Sequence, residues 1–72
     1  MTLTVVDRRF VDNNGAYYFK NENNENFCWQ TKSDRAFDEL TIGKKIEAKY
    51  TQTAQKFAKD GIEYTTIKNV RF

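Results

Sequence analysis

Turn-forming residues cut this 72-residue chain into short segments, and the segments read as strands. Asp12-Asn13-Asn14-Gly15 is a turn signal, because Asn and Gly tolerate the left-handed backbone. The acid and amide hexamer of residues 21–26 is a second, Gly43 a third, and Asp60-Gly61 a two-residue hairpin signal. Between them lie Thr, Val, Ile and aromatic residues, which suit a pleated, half-buried surface. The pattern predicts strands over Leu3–Val11, Ala16–Lys20, Phe27–Thr31, Lys45–Tyr50 and Ile62–Phe72.

Two of these strands carry internal detail. In the first, Leu3, Val5, Val6, Phe10 and Val11 alternate imperfectly, and a bulge near Asp7-Arg8 reconciles the halves. In the fourth, Ile46, Ala48 and Tyr50 point in while Lys45, Glu47 and Lys49 point out. Ser33 is placed to cap a short helix over Asp34–Leu40, with Asp34 complementing its dipole. Phe37 and Leu40 would share one face, and packing must hold so short a helix. Residues 51–61 fit two readings. As a hairpin arm they set Phe57 opposite Tyr64; as a helix they start at a Thr53 cap and end at Gly61. The hairpin is preferred.

Composition narrows the function classes. A chain of this length buries only about 60% of the surface its unfolded form exposes. The 15% aromatic content is too high for a disordered chain. With no His and a single Cys, the usual general base, a Cys-based zinc site and any Ser-His or Cys-His dyad are missing. The expectation is a non-enzymatic binding protein without metal or cofactor. No apolar run is long enough for a membrane helix, and residues 1–4 show no secretory pattern, so the expected location is cytoplasmic. Net charge is only +2, but Lys44, Lys45, Lys49, Lys56 and Lys59 cluster against one acid, Glu47. Local positive charge of this kind suits a polyanion.

Three strands, a short helix and two strands is the order of the OB-fold, a five-stranded Greek-key barrel. The expected class is therefore all-β with a small helical part. Four stretches carry a resemblance: Gly15-Ala16-Tyr17-Tyr18-Phe19, Phe27-Cys28-Trp29-Gln30-Thr31, Leu40 to Ala48, and Tyr64 to Phe72. Together they resemble small OB-fold single-stranded DNA-binding proteins of phages and mobile elements, which also occur in replication proteins. The resemblance covers almost the whole chain. It implies binding of single-stranded DNA with weak sequence preference, with RNA, a homo-oligomer and a replication-protein partner left open. The alternative function is a small protein-interaction module, such as a phage inhibitor of a host enzyme.

Sequence-tolerant binding needs aromatic faces for bases and cations for phosphates. The candidates are Tyr18, Lys20, Trp29 and Gln30 on the second and third strands, with Lys49, Lys56, Phe57 and Lys59 near the last hairpin. Arg8, Arg9, Lys68 and Arg71 are further candidates for backbone contacts, and Arg8 and Arg9 point to opposite faces of a regular strand. Register decides the rest. An even turn at 21–26 sets Tyr18 against Trp29 and shows both on one face. An odd turn sets Phe19 against Trp29 and puts Tyr17, Phe19, Phe27 and Trp29 in the core. Tyr18 and Lys20 share a face in both, and are expected to be exposed. Cys28 reads as a small core hydrophobe.

Overall fold

The computed structural model describes the backbone of residues 1–72 and every side chain except that of Phe57. The elements are β1 (Thr2–Val11), β2 (Asn14–Lys20), β3 (Asn26–Thr31), α1 (Asp34–Glu39), β4 (Lys45–Glu47), β5 (Lys49–Lys59) and β6 (Ile62–Arg71). The six strands form one sheet in the order β4-β1-β2-β3-β6-β5. Neighbours are antiparallel except β3 and β6, which run parallel through Phe27 opposite Thr65 and Cys28 opposite Thr66. The fold is mostly β, as expected, but it has six strands rather than five and does not close into a barrel.

The extra strand comes from a division of labour. Glu47 still lies opposite Thr2 of β1, and the Ala48 amide donates to the Met1 carbonyl at 2.9 Å. Lys49 has already changed neighbour and lies opposite Arg71 of β6. The single strand expected over Lys45–Tyr50 thus serves two partners. Its inward set is as expected: Ile46 and Ala48 are buried, and Tyr50 packs on Phe27 at 5.3 Å between ring centroids.

Both hairpins close as the turn chemistry demands. Asp12 (φ 49°) and Asn13 (φ 68°) join β1 to β2, and Asp60 (φ 54°) and Gly61 (φ 79°) join β5 to β6. Positive φ at both central residues matches the turn twist to the strand twist. Residues 53–60 are hairpin, not helix, and Phe57 lies opposite Tyr64.

Residues 21–25 form a built turn that sets the register of β2 on β3. Asn21 is buried; its Oδ1 accepts from the Asn23 amide at 3.0 Å and the Glu25 amide at 2.9 Å. Its Nδ2 donates to Glu25 Oε1 at 2.9 Å, and Asn24 takes a left-handed φ of 61°. Lys20 then faces Asn26, Phe19 faces Phe27, Tyr18 faces Cys28 and Tyr17 faces Trp29. An odd number of residues lies in the turn, so the faces are those of the odd reading. The pairing is slid by two residues, with Tyr17 rather than Phe19 opposite Trp29.

The inner face of the sheet holds the main core: Leu3, Val5, Tyr17, Phe19, Phe27 and Ile67, with Ala36 from α1 and Leu40 just after it. Burying each such large side chain stabilises by roughly 1.5–3 kcal/mol. Ser33 caps α1 by accepting from the Ala36 amide at 3.2 Å. Only Leu40 of the expected Phe37–Leu40 pair goes inward; Phe37 is 52% exposed. Gly15 allows Tyr17 to lie flat across it, since a Cβ there would sit 2.7 Å from the Tyr17 ring.

Candidate nucleic-acid interface

The bulge in β1 decides which cations face outward. The pairing with β2 shifts between Val5 and Asp7, so Val5 enters the main core while Val6 packs on the opposite face. Beyond the bulge Asp7 lies opposite Tyr18, Arg8 opposite Tyr17 and Arg9 opposite Ala16. Arg8 and Arg9 therefore part to opposite faces, as expected. Arg8 is spent on the fold. Its guanidinium stands 5.3 Å from the Phe10 ring centroid and 5.2 Å from that of Phe37. It donates to the Phe37 carbonyl at 2.9 Å and the Leu40 carbonyl at 3.4 Å. The last turn of α1 has no basic residue of its own, so Arg8 supplies the cation that end favours.

The outer face of β2 and β3 carries Ala16, Tyr18, Lys20, Cys28 and Gln30, and the tip of the β5–β6 hairpin folds over part of it. Lys59 Nζ donates to Asp7 Oδ2 at 2.7 Å, approaches Asp60 Oδ2 at 3.3 Å, and stands 4.7 Å from the Tyr18 ring centroid. Tyr64 meets Tyr18 edge-on at 5.0 Å. Tyr18, Cys28 and Tyr64 form a second buried cluster, with Val6 and Ala16 against it. Tyr18 is only 6% exposed, which corrects the expectation of an open stacking ring: it is on the outer face but covered. Lys59 is likewise corrected from a free cation to the tip's anchor, its side chain 13% exposed.

The charges of this anchor stabilise one another. The hydrogen bond from Lys59, then that from the Arg8 amide, hold the Asp7 carboxyl below its usual range. The Asp7 bond, opposed by desolvation and helped by Asp60, holds the Lys59 ammonium above its own. Burial pushes the Cys28 thiol up to about 11, with Lys59 pulling weakly the other way. It also raises the Tyr17 and Tyr18 phenols.

What remains open is a furrow beside the covered ring. A concavity of about 290 Å³ lies among Arg9, Val11, Ala16, Tyr18 and Gln30, with Asp12 at its end beside the β1–β2 turn. A second, of about 230 Å³, lies among Gln30, Gln55, Lys56 and Thr66. Gln30 lines both. Arg9 stands on the first; Lys56 borders the second, but it lies opposite Thr65, itself opposite inward Phe27, and its side chain turns toward Glu63. Arg9 is loosely held, 3.9 Å from Asp7 and 3.8 Å from Asp60. Lys56 stands 3.9 Å from Glu63 and is 58% exposed. Gln55 reaches the furrow because the β5 pairing skips between Gln52 and Lys56.

The other expected residues divide. Lys20 is exposed on the same face at the far end of β2. Trp29 is corrected: it points inward, half-buried between Tyr17 at 6.2 Å and Phe72 at 6.0 Å, and is no outer platform. Lys49 is exposed at the base of the hairpin, outside the furrow. The side chain of Phe57 lies outside the described residues. Asp7, Gln55 and Thr66 were not among the expected site residues. A carboxylate neutralising a lysine 52 positions away leaves no local signal, and neither does a strand irregularity that turns a glutamine.

A further groove of about 430 Å³ lies beside the β1–β2 turn and the start of α1, and shares Asp12 and Gly15 with the first concavity. Phe10, Tyr17 and Phe37 give it an aromatic side, and Asp12, Asp34 and Lys32 stand on its rim. Among the described residues, no group of three or more His, Cys, Asp or Glu is placed to hold a metal ion. No helix is long and apolar enough to cross a membrane. Compared with family models, curated proteins and solved structures, the chain has no match. Its function has to be read from these side chains.

Proposed function

We propose that this chain is a non-enzymatic binder of single-stranded nucleic acid, and that the strand lies in the outer-face furrow between Arg9 and Lys56. The observation that carries this reading is that two concavities of the outer face share Gln30, with Arg9 lining one and Lys56 bordering the other. Arg9 and Lys56 take phosphates, and the planar guanidinium of Arg9 can also lie against a base. Gln30, Gln55 and Thr66 offer donors and acceptors between them, while Lys20 extends the positive charge along β2. With phosphate contacts supplying the affinity and, among the described residues, no open aromatic platform on this face, binding should fall with salt and show weak sequence preference.

The strand order supports an OB-type reading of the fold. Counted as one strand interrupted at Ala48, β4 and β5 flank both β1 and β6. Such an order suits the partly open, five-stranded Greek-key arrangement whose second and third strands bind oligonucleotides. The test is an NMR titration with a short oligo(dT) at low salt. Amide shifts are expected at Arg9, Gln30, Gln55, Lys56 and Thr66, and the same titration with oligo(U) compares DNA with RNA. No binding at 50 mM salt would overturn the proposal.

A second reading is favoured by one observation, the exposed pair Phe10 (46%) and Phe37 (52%), whose rings pack edge-on at 5.2 Å beside the acid-rimmed groove. A protein presenting an apolar side chain next to a Lys or Arg would fit there, and a phosphate backbone would not. Loss of a stoichiometric partner on Phe37→Ser, with oligonucleotide binding unchanged, is the result that favours this reading.

A further inference from the structure

We infer that the base of the β5–β6 hairpin is an anion site, formed by Lys49, Lys68 and Arg71, that takes a phosphate of a nucleic-acid backbone. The inference rests on the reading above and extends the path of the bound strand beyond the furrow. It starts from an irregularity in β6. Thr51 lies opposite Lys68 and Lys49 opposite Arg71, so β6 holds one residue more than β5 over this stretch. Asn69 takes up the extra residue with a left-handed φ of 53°. On a regular strand Lys68 and Arg71 would point to opposite faces. Here Ile67 and Val70 both turn to the core, so Lys68 and Arg71, each following an inward residue, are both exposed on the outside. Lys49, following buried Ala48, is exposed there too.

The result is a like-charged cross-strand pair, Lys49 opposite Arg71, with a third cation one bulge away. Among the described residues none of the three has an ion-pair partner. Glu47, two residues from Lys49, is already taken by the Met1 ammonium and the Thr2 hydroxyl. Like charges placed directly opposite each other destabilise a sheet. The folded protein alone gains nothing from this arrangement, whereas a phosphate bridging the pair would relieve it. Lys68 lies two residues along β6 from Thr66 of the furrow and on the same face, so a strand leaving the furrow beside Lys56 meets Lys68 next.

The inference predicts effects of opposite sign on stability and on binding. Lys49→Glu turns the repulsion into a cross-strand attraction, so Tm at low salt should rise by about 2–4 °C. The same change should weaken oligo(dT) binding and lower the slope of log affinity against log salt by about 1. Lys44→Glu, with the same change in net charge in the turn before β4, is the control and should leave the slope near wild type. Equal losses for the two variants, or a fall in Tm for Lys49→Glu, would overturn the inference. Inorganic phosphate titrated onto the labelled protein separates it from the furrow reading. If oligo(dT) binds but phosphate moves no amide at Lys49, Lys68 or Arg71, the anion site fails and the furrow stands. If phosphate moves those amides while oligo(dT) does not bind, the furrow fails and the inference is overturned with it, leaving a site for free phosphate only.

Discussion

The two ends of the β5–β6 hairpin are built from the same residue types and use them in opposite ways. At the tip every cation has an acid. Lys59 is held by Asp7 and Asp60, and Lys56 stands near Glu63. At the base Lys49 faces Arg71 with no acid between them. Lys59, bonded to Asp7 over the Tyr18 ring, is an internal fastener that presses the hairpin onto Tyr18, so it says little about ligands, whereas Lys56 is only loosely paired. The base's charges serve no visible structural purpose. Five lysines between residues 44 and 59 looked like one positive patch in the sequence, but the fold divides them into neutralised and unneutralised sets.

The largest expected effect tests whether the tip is fastened through its aromatic floor. Tyr18→Ala removes the ring beneath Lys59 and beside Tyr64, and should cost on the order of 3 kcal/mol in urea unfolding. A cost near zero would mean that Tyr18 is a surface ligand after all. Next comes the anchor itself. Lys59→Met should loosen the tip and raise the rate at which Cys28 is labelled by a thiol reagent at pH 8. The native thiol, fully buried and pushed up to about 11, should react slowly. Equal rates in the two proteins would detach the anchor from the cover over Cys28.

A pH series gives a smaller effect with a definite sign. Asp7 is held below its ordinary value when folded, so its contribution is present above about pH 4 and is lost as the pH falls through the lowered folded value. Lys59 is held above its ordinary value, so its contribution persists up to about pH 10.5 and fades as the pH rises through the raised folded value. Acidification from pH 5 to 2.5 should therefore lower the Tm of wild type more than that of Asp7→Asn; parallel curves would remove the ion pair from the account. The smallest effect is expected at the exposed pair. Lys56→Ala should change stability by no more than a few tenths of a kcal/mol while weakening oligonucleotide binding. A large stability loss there would make Lys56 a second fastener and take it out of the furrow.

Sequence reasoning reached the local features and missed those made at a distance. The Asp12-Asn13 and Asp60-Gly61 turns, the β1 bulge (expected near Asp7-Arg8 and found between Val5 and Asp7), the Ser33 cap and the alternation of Ile46, Ala48 and Tyr50 all depend on neighbours within a few residues. The slide of β2 on β3 depends on how Asn21 gathers the amides of its own turn, and counting turn residues gives only their parity. Alternation placed Tyr18 on the outer face correctly but carries no information about what lies above it. That cover is made by Lys59 and Tyr64, more than forty residues further along the chain. Trp29 was undecided for the same reason: its face follows from the register, and its half-burial from Phe72 arriving at the end of β6.

The irregularities of β5 have a consequence for how molecules of this protein meet one another. As the last strand in the sheet order, β5 presents hydrogen-bonding groups on one side to whatever approaches. Its regular pairing is interrupted after Lys49 and again after Gln52, and the longest unbroken run is Lys56–Lys59. A strand from another copy would find no flat template longer than that run, and it would meet a lysine at either end. Long, flat, uncharged borders are where β proteins stick together. The kinks that lead one strand from the base of the hairpin to its tip therefore also discourage border-to-border stacking of one copy on the next.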